Sequence, residues 1–162
     1  MGPSTSFEDG FRTGRRAAPP IVVADDDRAA RELVVRLFRK LNLVNPILTA
    51  EDGQQAIDIL QKAMPALVLL DITMPRSSGL DVLSHIRTDE RLADVPVIML
   101  SGTSDLAHVD AAYSMGVVSY LVKPVGFVAL RDIVHELGLP WVLLTHGSDG
   151  GGPTSAEPTP RD

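Results

Sequence analysis

The chain contains no cysteine, which excludes disulfides, thiolate chemistry and cysteine-based zinc sites. No apolar run approaches the roughly 20 residues needed to cross a bilayer. No hydrophobic stretch near the first residue reads as a secretory signal. With none of these features, the expected location is the cytoplasm, away from any membrane. An excess of basic residues is also missing. The net charge of −6 argues against nucleic-acid binding through a basic face. Acidity of this size is common on solvated surfaces and names no partner by itself. Neither a G-x-G-x-x-G nor a P-loop pattern occurs, so nothing supports a nucleotide-binding domain. What is present is a hydrophobic fraction of 44% with 22% charged residues, the balance of an ordinary globular chain. At 162 residues it is long enough for one domain with its own core.

Residues 1–19 mix Gly, Pro, Ser and Arg without apolar periodicity and are expected to form a disordered arm. Residues 146–162 are biased to Gly, Pro and polar types and read as a disordered tail. Folding falls to residues 20–145, close to the usual size of one domain. The last part of that block, 138–145, holds the apolar stretch Trp141-Val142-Leu143-Leu144.

Inside the block, short apolar runs alternate with longer amphipathic ones. Ile21 to Ala24 is wholly apolar and stops at Asp25-Asp26-Asp27. Ala30, Leu33, Val34, Leu37, Phe38 and Leu41 then recur three and four apart, as on one helical face. Ile47-Leu48-Thr49 is a weaker strand. Ala56, Ile57, Leu60 and Met64 predict a second helix, stopped before Pro65. Ala66 to Leu70 lacks polar alternation, the mark of a strand buried on both faces, and ends at Asp71. Leu80, Leu83 and Ile86 mark a third helix. Val95 to Leu100 predicts a fourth strand, ending at Ser101. Leu106, Val109, Ala112 and Tyr113 line a fourth helix stopped at Gly116. Tyr120 to Val122 is a fifth strand, ending at Lys123-Pro124. Phe127, Leu130, Val134 and Leu137 give the last helix. Five strand–helix units in strict alternation imply a parallel sheet wrapped on both faces.

Ligands of such open sheets sit beyond the carboxyl ends of the strands. Those ends here carry Asp25-Asp26-Asp27, Asp71, Ser101-Gly102 and Lys123-Pro124. Carboxylates crowded together repel one another, and their pKa values rise. A hard divalent cation relieves that repulsion, and Mg²⁺ suits carboxylate, carbonyl and water ligands. With the cluster neutralised, one carboxylate can act as a nucleophile toward a phosphoryl group. Lys123 can then meet a phosphoryl oxygen as a point charge, and the Ser101 hydroxyl can hydrogen-bond to another.

Each residue alone has a blander role. An Asp after a strand is commonly a helix N-cap, the role expected of Asp27. Loop serines and surface lysines are ordinary. An Asp ending an all-apolar strand is costly unless it is used or hydrogen-bonded. The joint occurrence at four strand ends favours chemistry. His85, His108, His135 and His146 read as helix surface or tail, without metal spacing or a nearby nucleophile.

The segments IVVADDD (21–27), LVLLDITMPRSSGLDVL (67–83), VIMLSG (97–102) and GVVSYLVKP (116–124), in that order, resemble the receiver domains of two-component response regulators. The resemblance extends from Ile21 to about Leu137 and is of the chemotaxis-regulator kind. It implies a flavodoxin-like α/β fold with five helices and a five-stranded parallel sheet in the order 2-1-3-4-5. It implies that a sensor histidine kinase donates a phosphoryl group and that the receiver assists its own phosphorylation and dephosphorylation without being a turnover enzyme. By position, Asp71 resembles the phosphoacceptor. Asp26, Asp71 and the main-chain carbonyl of Thr73 resemble the direct Mg²⁺ ligands, with Asp25 acting through water. Ser101 matches the switch hydroxyl, Lys123 the phosphoryl-sensing lysine, and Tyr120 the aromatic side chain that swings inward. Thr73 and Thr103 match positions that tune hydrolysis of the phosphoryl group. Pro124 is expected after a cis peptide bond.

No helix-turn-helix or second core follows Leu137, so the expectation is a stand-alone receiver acting through an unknown downstream protein. Residues 88–94 and the Trp141–Leu144 stretch are similar to receivers that partner bacterial phytochrome kinases. The apolar stretch has two open readings, a turn folded back on the domain or part of a homodimer interface. Three other functions compete with this one. A haloacid-dehalogenase-type phosphatase would need a second acid where Thr73 stands, and a degenerate scaffold would not need an intact acid cluster. The nucleotide-binding domain lacks its motifs.

Overall fold

The computed structural model describes residues 18–102 and 106–137. Residues 1–17 of the expected arm (1–19), Thr103, the stretch 138–145 and the tail lie outside the described residues. The elements are β1 (Ile21–Ala24), α1 (Arg28–Lys40), β2 (Ile47–Ala50), α2 (Gly53–Lys62), β3 (Leu67–Asp71), α3 (Gly79–Thr88), β4 (Val97–Ser101), α4 (Leu106–Ser114), β5 (Ser119–Val122) and α5 (Phe127–Leu137). All strands run parallel, in the order β2-β1-β3-β4-β5. This is the doubly wound sheet implied by the strand–helix alternation.

The three central strands lie between two apolar layers. Val22, Val68, Leu70, Val97 and Met99 face α2, α3 and α4 through Ala56, Leu60, Val82, Leu83, Ile86 and Ala112. Ile21, Val23, Leu67, Leu69, Ile98 and Leu100 face α1 and α5 through Val34, Leu37, Phe38, Leu130 and Val134. Alternate residues serve opposite faces, so these strands carry no polar residue before their last position, Asp71 in β3 and Ser101 in β4.

Several strand ends shift by a residue from the sequence expectation, and three larger departures follow. β4 begins at Val97, not Val95: Pro96 has no amide hydrogen to donate, and only its carbonyl joins the sheet by accepting from the Val68 amide. Met64 is exposed and lies beyond the end of α2. Two residues before Pro65, Ala63 already turns to an extended backbone (φ −130°, ψ 151°), which removes Met64 from the helical face. Tyr113 is on α4 but 48% exposed, so the apolar seam of that helix is narrower than its sequence suggested.

Arg87 was not anticipated as a structural residue. Its guanidinium donates to the carbonyls of Ala93, Val95, Met115 and Gly116 at 2.8–3.0 Å. It thereby ties the end of α3 to the loop before β4 and to the turn before β5. Burial lowers its pKa and Asp94 partly offsets this, but an arginine stays charged throughout. Arg87→Met is expected to cost about 2 kcal/mol, because four carbonyls, three of them in part-buried bonds, lose a charge-assisted donor. Urea unfolding checks this, and an unchanged midpoint would show the four bonds to be dispensable.

Candidate functional site

Parallel register gathers the strand ends. Ala24 pairs with Ala50 on one side and Leu70 on the other, which places Asp25 beside Asp71. Asp71 pairs with Leu100, and Ser101 with Val122, so Lys123 follows directly on the next strand. The Lys123 amide donates to the Ser101 carbonyl at 2.7 Å, and the Lys123-Pro124 peptide is cis. Residues almost one hundred positions apart thus meet at one edge of the sheet.

Asp25 is fully buried and Asp71 is 3% exposed, so both carboxylates depend on protein partners. The Lys123 ammonium lies 3.1 and 3.3 Å from the two Asp25 oxygens and 3.3 Å from Asp71 Oδ2. Asp25 Oδ1 also accepts from the Asp27 amide at 2.9 Å, and Asp71 Oδ1 from the Thr73 amide at 3.3 Å. Asp26 is exposed, yet one oxygen from each of Asp25, Asp26 and Asp71 falls within 4.8 Å of the others. Asp27 caps α1 by accepting from the Ala29 and Ala30 amides, as expected. Ser101 is buried at the end of β4.

One ammonium does not balance this cluster. Burial, then the hydrogen bond and charge of Asp25, push Asp71 from 3.8 up to about 7, against the pull of Lys123 and the Thr73 amide. On Lys123, burial acts downward, but Asp25 and then Asp71 outweigh it and the net shift is upward. The arrangement fits a hard divalent cation: three carboxylates converge beside a single ammonium, and the Thr73 carbonyl lies two residues along the chain.

These groups open into a cavity of about 790 Å³, lined on its polar side by Asp26, Asp71, Thr73, Ser101 and Lys123. The structure therefore brings together Asp25, Asp26, Asp71, Thr73, Ser101 and Lys123. It does not bring Tyr120 there. That side chain packs against the α2–α4 side of the core, with its hydroxyl buried and unpartnered among the described residues. His108, read from sequence as helix surface, is exposed but lines the same cavity. A lone histidine on α4 carries no local signal of that placement.

Two glycines were missed as site residues. A Cβ at Gly79 would lie 2.3 Å from the Asp71 carbonyl oxygen, and one at Gly53 would lie 2.0 Å from the Ser77 carbonyl oxygen. Both allow helices to press on the segment that follows Asp71. The one available signal was Gly79 directly after Ser78, which caps α3 in a reciprocal box with Asp81.

A doubly wound parallel sheet with acids, a hydroxyl and an ammonium at its carboxyl edge defines a class of α/β module whose chemistry sits at its strand ends. Residues 21–135 match the family model of the response regulator receiver domain, and the chain belongs to that family. Receiver domains act in two-component signalling, interact with histidine kinases and bind Mg²⁺ through acidic residues; they are not a class of turnover enzymes.

The chain is 34% identical over 128 residues to the probable methanogenesis regulatory protein FilR2 of Methanothrix harundinacea, covering 75% of this chain and 83% of that protein. It is 36% identical over 118 residues to the transcriptional regulatory protein HptR of Staphylococcus aureus, covering 72% of this chain but only 45% of HptR. Among solved structures it resembles the bacteriophytochrome response regulator RtBRR, with a TM-score of 0.71, 32% identity, and coverage of 80% of this chain and 83% of that one.

Proposed function

We propose that this receiver domain accepts a phosphoryl group on Asp71 from a sensor histidine kinase, with Mg²⁺ bound by the acid cluster, and thereby switches a protein-interaction surface. The observation that carries this reading is the convergence of Asp25, Asp26 and Asp71 beside the Lys123 ammonium, with Asp25 and Asp71 buried. Asp26, Asp71 and the Thr73 carbonyl would hold the cation directly, and Asp25 through water. When bound, the cation neutralises the carboxylates and polarises the incoming phosphoryl oxygens.

The chain's own residues do the rest. Asp71 Oδ attacks phosphorus as the donor bond breaks, and the electron pair leaves with the donor. Lys123 moves its charge from the carboxylates to a phosphoryl oxygen, while the Ser101 hydroxyl donates to another. Tyr120 is the proposed switch residue. Its buried, unpartnered hydroxyl carries a desolvation cost of about 1–3 kcal/mol, and a conformer that supplies an acceptor recovers it. A ligand shifts such an equilibrium only through contacts that differ between the two states.

The resemblance to RtBRR supports a bacteriophytochrome kinase as donor. Exposed Tyr113, Val118 and Val122 on and beside the edge strand β5 support homodimerisation or docking of the downstream protein. Among the described residues no helix is long and apolar enough to cross a membrane, in keeping with the proposed cytoplasmic setting.

Acetyl phosphate with Mg²⁺ is expected to add one phosphoryl group, read by intact mass, and no addition with or without Mg²⁺ would contradict the proposal. Ser101→Ala is expected to keep this labelling while weakening the conformational response, read as the change in hydrogen exchange of α4 and β5 on beryllofluoride binding. Loss of labelling in Ser101→Ala would contradict that division of roles.

A further inference from the structure

Residues 72–78 join β3 to α3, carry Thr73 and close one side of the acid cluster. Two separate contacts hold this loop. At its own far end, Ser78 and Asp81 form a reciprocal cap, and the Gly79 amide donates to the Ile72 carbonyl at 3.0 Å. The second hold comes from a helix that contributes nothing to the cluster. Gly53, the first residue of α2, lies so close to Ser77 that an added Cβ would sit 2.0 Å from its carbonyl oxygen and 2.4 Å from its Cβ. The Gly53 amide donates to the Pro75 carbonyl at 3.4 Å. Asp52 Oδ2 is 3.5 Å from Arg76 Nε, while Asp52 Oδ1 caps α2 through the Gln55 amide at 2.8 Å. Arg76 stands at φ 69°, a left-handed conformation that a non-glycine residue holds only with outside support. Three successive loop residues are thus held by Gly53 and by Asp52, the N-cap of α2.

We infer that Asp52 and Gly53 are positioning residues for the metal site: the first turn of α2 fixes the loop that carries Thr73 and so sets the Mg²⁺ affinity of the acid cluster. This rests on the function proposed above. Asp25 and Asp71 are anchored by the sheet and Asp26 follows Asp25 directly, whereas Thr73 is the ligand carried on the loop, one residue beyond the last sheet bond, from the Ile72 amide to the Leu100 carbonyl at 2.8 Å. Mg²⁺ demands near-octahedral geometry at short distances, and a loop released from α2 would also have to be ordered on binding. Groups that orient a metal's direct ligands commonly affect affinity almost as strongly as the ligands do.

The test is calorimetric titration of Mg²⁺ into the full chain after removal of divalent ions, alongside urea unfolding in chelator. Gly53→Ala is expected to weaken Mg²⁺ binding by about tenfold or more. Ile57→Ala, on the same helix but packed against the sheet, is expected to lower the urea midpoint and leave the Mg²⁺ Kd unchanged. That contrast separates positioning from stability. Should Gly53→Ala not fold, Asp52→Asn retains an oxygen for the cap, and Arg76→Gly tolerates the positive φ. Each removes the ion pair, Arg76→Gly also loosening the backbone at 76, and is expected to weaken Mg²⁺ binding by roughly two- to fivefold, with the double variant no weaker than the weaker single. An unchanged Kd in Gly53→Ala, or in both ion-pair variants, overturns the inference. Absence of Mg²⁺ binding by the wild-type chain overturns the proposed function instead, and the inference with it.

Discussion

Asp71→Asn is expected to make the metal-free protein more stable at pH 8 while leaving it equally stable or weaker at pH 4. The folded Asp71 has its pKa raised from 3.8 to about 7, chiefly by burial and by Asp25. A carboxyl raised in this way is bound to its proton longer in the folded state than in the unfolded one. Its cost to stability is absent below the unfolded value, grows as pH rises from about 4 to about 7, and is complete above that. At about 1.4 kcal/mol per unit, the full effect is on the order of 4 kcal/mol at most. Loss of one Lys123 partner reduces the gain from Asn, so an increase of about 2 kcal/mol is expected. Urea unfolding of both proteins in chelator at the two pH values checks this. Equal stabilisation at both would remove the electrostatic explanation. Mg²⁺ is expected to raise wild-type stability far more than that of Asp71→Asn, because only the wild type carries the charge that the cation relieves.

The second large effect falls on a residue that has no side chain. In Gly79→Ala the new methyl group would approach the Asp71 carbonyl oxygen to 2.3 Å and the Ile72 Cα to 2.8 Å. Both are main-chain atoms, so no rotamer change relieves the contact. Either the start of α3 moves out or the end of β3 moves back. A loss of about 3 kcal/mol is expected, together with a roughly hundredfold slower phosphoryl transfer to Asp71, since small displacements of a reacting group are costly. The rate of labelling by acetyl phosphate at matched folded fraction is the discriminating measurement. A rate equal to wild type would show that α3 yields without disturbing Asp71.

The strands that place the acids were legible because they are buried on both faces. Unbroken apolar runs such as Val22–Ala24 and Leu67–Leu70 have no other ready explanation, and each ends where the chain meets water. β2 gave a weaker signal since it is an edge strand with Thr49 exposed. The acid cluster was legible for a related reason: parallel order alone places four strand ends together, whatever the details of packing. What could not be read were contacts made at right angles to the chain. Gly53 against Ser77, Gly79 against Asp71, and Arg87 on four carbonyls each join segments whose adjacency follows only from the finished fold. His108 belongs to the same group, because its place in the cavity depends on how α4 sits over the sheet. Met64 was misplaced for a local reason, an extended residue two positions before Pro65.

The proposed function has side chains from the first, third and fifth strand ends form one cation-binding pocket in which Asp71 is reversibly phosphorylated. Its most direct test is intact-mass analysis after acetyl phosphate and Mg²⁺, run side by side on wild type and Asp71→Asn. One hydroxylamine-labile phosphoryl group on the wild type and none on Asp71→Asn is the predicted result. Equal labelling of the two proteins would contradict it.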